Sequence, residues 1–188
     1  MSGMLKDLGV RVRSLGEFDG APEVVEDGST YEENALKKAR SAAAFTGKPS
    51  LADDTGLEVE ALDGRPGVHA ARFAGEHCSF QDNITKLLTL LNGIPRERRA
   101  ARFVCVLAFV GPDGREELVR GELEGSITEE PAGIEGFGYD PVFFSPEVGK
   151  TLAELSPEEK SRISHRRRAV DMARVLLQRE RSGRSAAW

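Results

Sequence analysis

This chain of 188 residues is short of the residue types that build metal fingers, disulfide frameworks and membrane spans. It has two cysteines, three histidines and one tryptophan, and aromatic residues make up only 6% of it. Cys105 lies in the apolar run Phe103-Val104-Cys105-Val106-Leu107, where a thiol behaves as a small hydrophobe. Cys78 follows His77, and a single His-Cys pair falls short of the four spaced ligands of a structural zinc site. No stretch approaches the ~20 consecutive apolar residues of a membrane span. Met1 to Val10 lacks the basic-then-apolar build of a secretion signal. Positive charge is also in deficit. With 26 Lys and Arg against 31 Asp and Glu, the net charge is -5, so the chain is not built to wrap nucleic acid. These absences leave a cytoplasmic globular protein that binds neither nucleic acid nor membrane. At this length a folded chain buries roughly 70% of its unfolded surface and needs no covalent staple.

The pattern that remains is α/β. Val10-Arg11-Val12-Arg13-Ser14-Leu15 alternates apolar and polar residues, which predicts a half-buried strand. A loop rich in Gly, Pro and Asp runs from Gly16 to Gly28. Ser29 or Thr30 then caps a helix with Glu32 or Glu33 as the reciprocal partner, and Gly47 ends it before Pro49. Tyr31, Ala35, Ala39 and Ala42 recur along one face. Residues Pro49 to Gly75 read as loop with a short strand at Leu57 to Leu62. A second helix starts at Ser79, with Ile84, Leu87, Leu88 and Leu91 as its buried stripe. Arg102 to Val110 reads as a buried strand, Gly111-Pro112-Asp113-Gly114 as a turn, and Glu116 to Ile127 as the antiparallel return. Glu130 to Phe144 reads as loop. Ser156-Pro157-Glu158-Glu159 opens a short helix, and Ser164 caps a last one facing inward through Ala169, Ala173 and Leu176. No repeat or linker interrupts the chain, so residues 1–188 read as one domain with a loose polar tail over 181–188.

Four constellations carry chemistry. In Ser50-Leu51-Ala52-Asp53-Asp54-Thr55-Gly56-Leu57, two adjacent carboxylates on extended chain point in different directions, one toward a cation and one toward a nearby base. Oxygen-only ligands suit a hard ion such as Mg²⁺. The same Asp-Asp-Thr-Gly run is equally good turn chemistry. Glu32-Glu33-Asn34 opens the Ala-rich helix, where the helix dipole alone favours acidic residues. Gly136-Phe137-Gly138-Tyr139-Asp140-Pro141 lets the backbone approach a flat ligand while Phe137 stacks on it, although a core-packed Gly-aromatic turn has the same composition. Lys160 precedes Ser164-His165-Arg166-Arg167-Arg168, which sets cations at the start of a helix against its dipole; a phosphate or a base carbonyl would explain them. Arg167 and Arg168 read as a solvated face.

Taken in order, Tyr31-Glu32-Glu33-Asn34-Ala35, Leu51-Ala52-Asp53-Asp54-Thr55-Gly56-Leu57, Gly64-Arg65-Pro66-Gly67-Val68-His69-Ala70-Ala71-Arg72-Phe73, Gly136-Phe137-Gly138-Tyr139-Asp140-Pro141 and Leu155-Ser156-Pro157-Glu158-Glu159-Lys160 with Ser164-His165-Arg166 resemble the inosine triphosphate pyrophosphatase family, the dITP/XTP pyrophosphatases. The resemblance implies a mixed α/β fold, with a long twisted sheet dividing two lobes around a central cleft. It implies a homodimer and Mg²⁺-dependent hydrolysis of ITP, dITP or XTP to monophosphate and pyrophosphate. It makes Asp54 the catalytic carboxylate and, with Glu33, a metal ligand. Thr55, Phe137, Gly138, Tyr139, Asp140, Lys160, His165 and Arg166 become substrate contacts. A purine 6-oxo group accepts hydrogen bonds where adenine's amino group donates, so cationic donors favour the former.

The resemblance also leads one to expect an apolar strand and a Thr/Ser-Gly-Asn-x-x-Lys phosphate loop at the start. The sequence opens Met1-Ser2-Gly3-Met4-Leu5-Lys6, and that strand and loop are read as missing. Two alternatives stay open at this point: a nucleotide-binding protein with weakened catalysis, and a Maf-type pyrophosphatase for pyrimidine nucleotides.

Overall fold

The computed structural model describes residues 11–183, with side chains through residue 178. Val10, the expected missing phosphate loop and the end of the polar tail lie outside the described residues.

Local sequence chemistry sets the elements. Thr30 Oγ1 accepts the backbone N–H of Glu33 at 3.1 Å and starts α1 (Tyr31–Thr46), and Gly47 stops it in a left-handed conformation. After β1 (Ser50–Val59) and the short β2 (Pro66–Gly67), a reciprocal Ser79–Asp82 box opens α2 (Phe80–Leu90). The apolar run becomes β3 (Ala100–Val110), and it is buried almost throughout, as an interior strand of a covered sheet is. Gly111 donates to the Arg115 carbonyl at 2.8 Å, turning the chain into β4 (Glu116–Ile127). Next come β5 (Phe143–Ser145), β6 (Lys150–Thr151), α3 (Pro157–Ile163) and α4 (His165–Gly183). Pro157 holds the first position of α3 behind a Ser156–Glu159 box.

This is a mixed α/β fold around a six-stranded sheet in the order β2-β1-β3-β4-β5-β6. The β1/β2, β4/β5 and β5/β6 pairs are antiparallel, with Leu57 opposite Gly67, Ser126 opposite Phe144 and Phe144 opposite Thr151. The chain divides into two compact units, one of residues 1–54, 105–121 and 166–188, the other of residues 55–104 and 122–165. Within the first, Cys105 and Leu107 of β3 pack with Ala169, Val170 and Ala173 of α4, flanked by Leu51 and Val119. Ala35, Ala39 and Ala43 form the buried face of α1. The second unit holds a larger core that includes Leu57, Leu87, Phe103, Leu123, Ile127 and Phe143. Each such side chain contributes about 1.5–3 kcal/mol by leaving water. In this unit buried Arg99 donates to the carbonyls of Leu91, Ile94 and Thr128 at 2.8–3.0 Å, tying the end of α2 to the end of β4. Among the described residues, no helix is long and apolar enough to cross a membrane.

Three sequence expectations fail. Residues 11–14 are not a strand, and Leu15–Glu17 is a single 3₁₀ turn. Side chains claim the backbone there: Ser14 N–H donates to Glu17 Oε1 at 2.7 Å and Ser14 Oγ accepts from Gly16 N–H at 3.3 Å, so the alternation pairs with no neighbouring strand. The strand expected at Leu57 to Leu62 runs instead from Ser50 to Val59, and Glu60–Leu62 turns away from it. Asp53-Asp54-Thr55-Gly56 is therefore strand and not turn, because sheet pairing outweighs its local turn preference. Last, Glu130 to Phe144 is not loop throughout, since Asp140–Val142 forms a 3₁₀ turn that leads into β5.

Candidate active site

The first cluster belongs to the first unit, where the end of its β1 segment meets α1. Alternation along β1 sends the two carboxylates of Asp53 and Asp54 to different partners. Asp53 Oδ2 accepts Nε–H and Nη2–H from Arg166 at the start of α4, both at 3.0 Å. Asp54 is buried, accepting from Asn34 Nδ2 on Oδ2 at 3.2 Å and from Lys38 Nζ on Oδ1 at 3.2 Å. Lys38 Nζ also lies 3.2 Å from Glu26 Oε2, so one ammonium sits between two carboxylates.

Burial pushes the Asp54 carboxyl above its ordinary range, and the Lys38 ammonium and the Asn34 hydrogen bond hold it down. The opposition fits a group that must be ionised yet basic enough to take a proton.

Glu33 is built differently. Its Oε2 accepts from Ser29 N–H at 2.6 Å and Ser29 Oγ–H at 2.9 Å, and these bonds hold its carboxyl below its ordinary value. The neighbouring Asn34 side chain is locked: its Oδ1 accepts from Gly28 N–H at 2.8 Å while its Nδ2 serves Asp54. A Cβ at Gly28 would lie 2.5 Å from that Oδ1, so only glycine allows the approach. Lys37, one turn after Glu33 on α1, is hydrogen-bonded to Asp27.

Glu33 and Asp54 each offer only carboxylate oxygens, the donor class that suits a hard divalent cation. No group of three or more His, Cys, Asp or Glu side chains able to hold a metal forms among the described residues.

The second cluster belongs to the second unit. Asp140 is buried at 2% exposure, and its Oδ2 accepts from Phe137 N–H at 2.7 Å and from Lys160 Nζ of α3. The same Lys160 ammonium lies over the Phe137 ring, 4.5 Å from its centroid. A Cβ at Gly136, where φ is +79°, would fall 2.1 Å from Asp140 Oδ2, so the loop closes over the carboxylate only with glycine there. Phe137 presents its ring to solvent at 57% exposure, whereas Tyr139 is buried with its hydroxyl donating to Ala70 O at 2.9 Å. Burial raises the tyrosine pKa further, so the group stays neutral. Phe137 is thus the ring available for stacking. Tyr139 instead fastens the Gly136–Asp140 turn to the Gly64–Phe73 segment. His165 is buried and stacks on Phe103, with centroids 4.8 Å apart and planes 16° apart.

The structure therefore joins Asp54 with Asn34 and Lys38, and Phe137 with Asp140 and Lys160. Arg166 sits with Asp53 in the first unit, and Thr55 is half-buried at the next position along β1. The sequence reading gave Asn34 no role beyond its place in Glu32-Glu33-Asn34 and did not single out Lys38 or Glu26. A signal for two of them was present, since Asn34 and Lys38 stand four apart on a helix and therefore share a face.

With this geometry in view, comparison with known proteins is decisive. The Ham1 family model matches residues 1–175. A dITP/XTP pyrophosphatase of Desulforamulus reducens is 51% identical over 179 residues, covering 95% of this chain and 89% of that protein. A dITP/XTP pyrophosphatase of Geobacter sulfurreducens is 49% identical, covering 94% and 89%. The solved Ham1 protein of Staphylococcus aureus superposes with a TM-score of 0.87 at 42% identity, covering 96% of each chain. The HAM1 protein of Coxiella burnetii gives 0.88 at 40% identity, covering 95% and 91%.

Proposed function

Because this chain belongs to the Ham1 family, it is a nucleoside triphosphate pyrophosphatase acting on nonstandard purine nucleotides, and we propose that Asp54 carries its hydrolytic step. The observation behind this assignment is the buried Asp54 carboxylate held between Asn34 and Lys38. A desolvated carboxylate takes a proton from water more readily than an exposed one. Lys38 keeps it ionised, and Asn34 fixes its orientation through the second bond to Gly28.

Mg²⁺ is the cofactor in this reading, held by Asp54 and Glu33, and when bound it supplies charge neutralisation on the triphosphate. Ser29 orients the Glu33 carboxylate through hydrogen bonds that also favour its ionised form, the form an oxygen ligand needs. Water attacks the α-phosphorus, and the products are the monophosphate and pyrophosphate. Positioning and electrostatics dominate such reactions, since the chain itself forms no covalent bond to the substrate.

The base is held by Phe137 through stacking and by the Gly138, Tyr139 and Asp140 backbone. Lys160 and His165 add donors to the 6-oxo group. Arg166, which donates to Asp53 through Nε and Nη2, is a substrate contact by family resemblance. Thr55 contributes a hydroxyl to the substrate. The enzyme acts as a cytoplasmic homodimer over one catalytic domain, and its net charge of -5 argues against nucleic acid as a partner.

Product analysis tests this reading. The protein is incubated with Mg²⁺ and, separately, with ITP, XTP, ATP, GTP, dTTP and UTP. Pyrophosphate should appear in equal amount to monophosphate, fastest with ITP and XTP. Release of inorganic phosphate, or preference for dTTP or UTP, would refute it.

A further inference from the structure

Phe80, the first residue of α2, is 55% exposed, and its ring centroid lies 6.3 Å from that of Phe137 with the planes tilted by 43°. The separation falls within the range of an interacting aromatic pair but is too long for either ring to cover the other. Both rings keep more than half of their surface in water, in a protein with only nine phenylalanines. Isolated exposed apolar side chains need no explanation, but two adjacent exposed rings form a patch that suits a flat ligand.

The backbone beneath each ring is held in place. Phe137 is fixed by its N–H bond to Asp140 and by Lys160 over its face. Phe80 sits directly after the Ser79 cap, whose side chain and that of Asp82 bond reciprocally at 2.7–3.2 Å. Its helix therefore starts at a defined place, and its ring projects from a rigid first turn.

We propose that Phe80 is a specificity residue for the size of the base: it forms a second aromatic wall beside Phe137, contacted by a bicyclic purine and not by a single-ring pyrimidine. The proposal rests on the assignment of Phe137 as the stacking residue. A six-membered ring centred on Phe137 leaves Phe80 uncovered, given the 6.3 Å between centroids, whereas a fused second ring extends toward it. The 43° tilt sets Phe80 oblique to a base stacked on Phe137, so its contact with the second ring is neither a flat sandwich nor edge-on.

The test compares Phe80→Ala, Phe80→Leu, Phe80→Tyr and Phe137→Ala in steady-state pyrophosphate release from ITP and from UTP. Phe80→Ala should raise the KM for ITP by roughly three- to tenfold, as expected for loss of one aromatic contact, with kcat and the KM for UTP unchanged. Phe80→Leu keeps apolar cover but loses the ring, and should behave like the alanine variant. Phe80→Tyr should restore the wild-type ITP:UTP ratio. Thermal melting should stay at the wild-type midpoint in all three, because the side chain is exposed and the Ser79–Asp82 box is untouched. Equal changes for ITP and UTP, or an unchanged ITP:UTP ratio in Phe80→Ala, overturn the proposal. If Phe137→Ala raises the KM for ITP while Phe80→Ala does not, only the second wall fails. If neither variant alters the KM for ITP, the assignment of Phe137 fails with it.

Discussion

Replacing Lys160 by methionine removes the cation from a carboxylate that the fold has taken out of water. The Asp140 side chain is 3% exposed and that of Lys160 16%, so this pair lies far from the solvated regime in which ion pairs contribute little. Removing one partner of a buried pair costs about 3–5 kcal/mol, because the other charge is left without compensation. Asp140 keeps its bond from Phe137 N–H, which sets the expectation near the lower end, about 3 kcal/mol. For a chain of this size that is a fall in melting temperature of roughly 6–12 °C. The double variant Asp140→Asn/Lys160→Met should recover part of the loss, since no charge remains to be stranded. Calorimetry on the wild type and the two variants reads both quantities. A Lys160→Met variant that melts within about 2 °C of wild type would show that the pair behaves as a surface one, and the reasoning would fail. The same substitution loosens the Phe137 loop, and the KM for ITP should rise with it.

The remaining predictions concern other buried polar groups. Arg99→Met removes the donors to the Leu91 and Ile94 carbonyls after α2 and to the Thr128 carbonyl after β4, and should cost about 3 kcal/mol, read as a lower urea midpoint with an unchanged slope. Gly136→Ala puts a methyl group against Asp140 Oδ2 at a left-handed position, and should raise the KM for ITP well above that of a Gly149→Ala control, which has the same left-handed backbone but open space around it. The carboxyl of Asp54 is held above its unfolded value of 3.8, so its protonated form favours the folded state. That contribution is complete below the unfolded pKa and is lost as pH rises through the folded one. The metal-free Asp54→Asn protein should accordingly gain melting temperature relative to wild type near neutral pH, and the gap should close on acidification.

Much of this was legible in the sequence because the signals were local. The Thr30 cap with its Gly47 stop, the Ser79–Asp82 box and the Ser156–Pro157–Glu159 start are rules satisfied within one turn of helix, and each helix begins where they place it. The apolar run of β3 and its turn to β4 were equally plain. What escaped depended on partners distant in the chain. Residues Ser50 to Gly56 carry turn chemistry but extend β1, and nothing nearby in sequence announces it. The β5 and β6 strands are three and two residues long and exist through their registers on β4 and on each other. Val12 and Leu15 failed in the opposite way: a convincing alternation lost to a serine and a glutamate three residues apart.

The site divides along the same line. Asp54 stood out as one of two adjacent carboxylates, but which of them is buried was settled by α1 supplying Asn34 and Lys38 to one and α4 supplying Arg166 to the other. The family resemblance puts Tyr139 among the substrate contacts. Its hydroxyl bond to Ala70, 69 positions away, turns it inward.

The claim that Asp54 performs the hydrolytic work is tested most directly by pyrophosphate release from ITP by Asp54→Asn at saturating Mg²⁺. Asparagine preserves the shape and accepts a hydrogen bond from Lys38, but it neither takes a proton nor carries charge. The variant should keep the wild-type circular dichroism spectrum and lose about 10²–10⁴-fold in kcat. A correctly folded Asp54→Asn protein that turns over ITP within threefold of wild type would contradict the account.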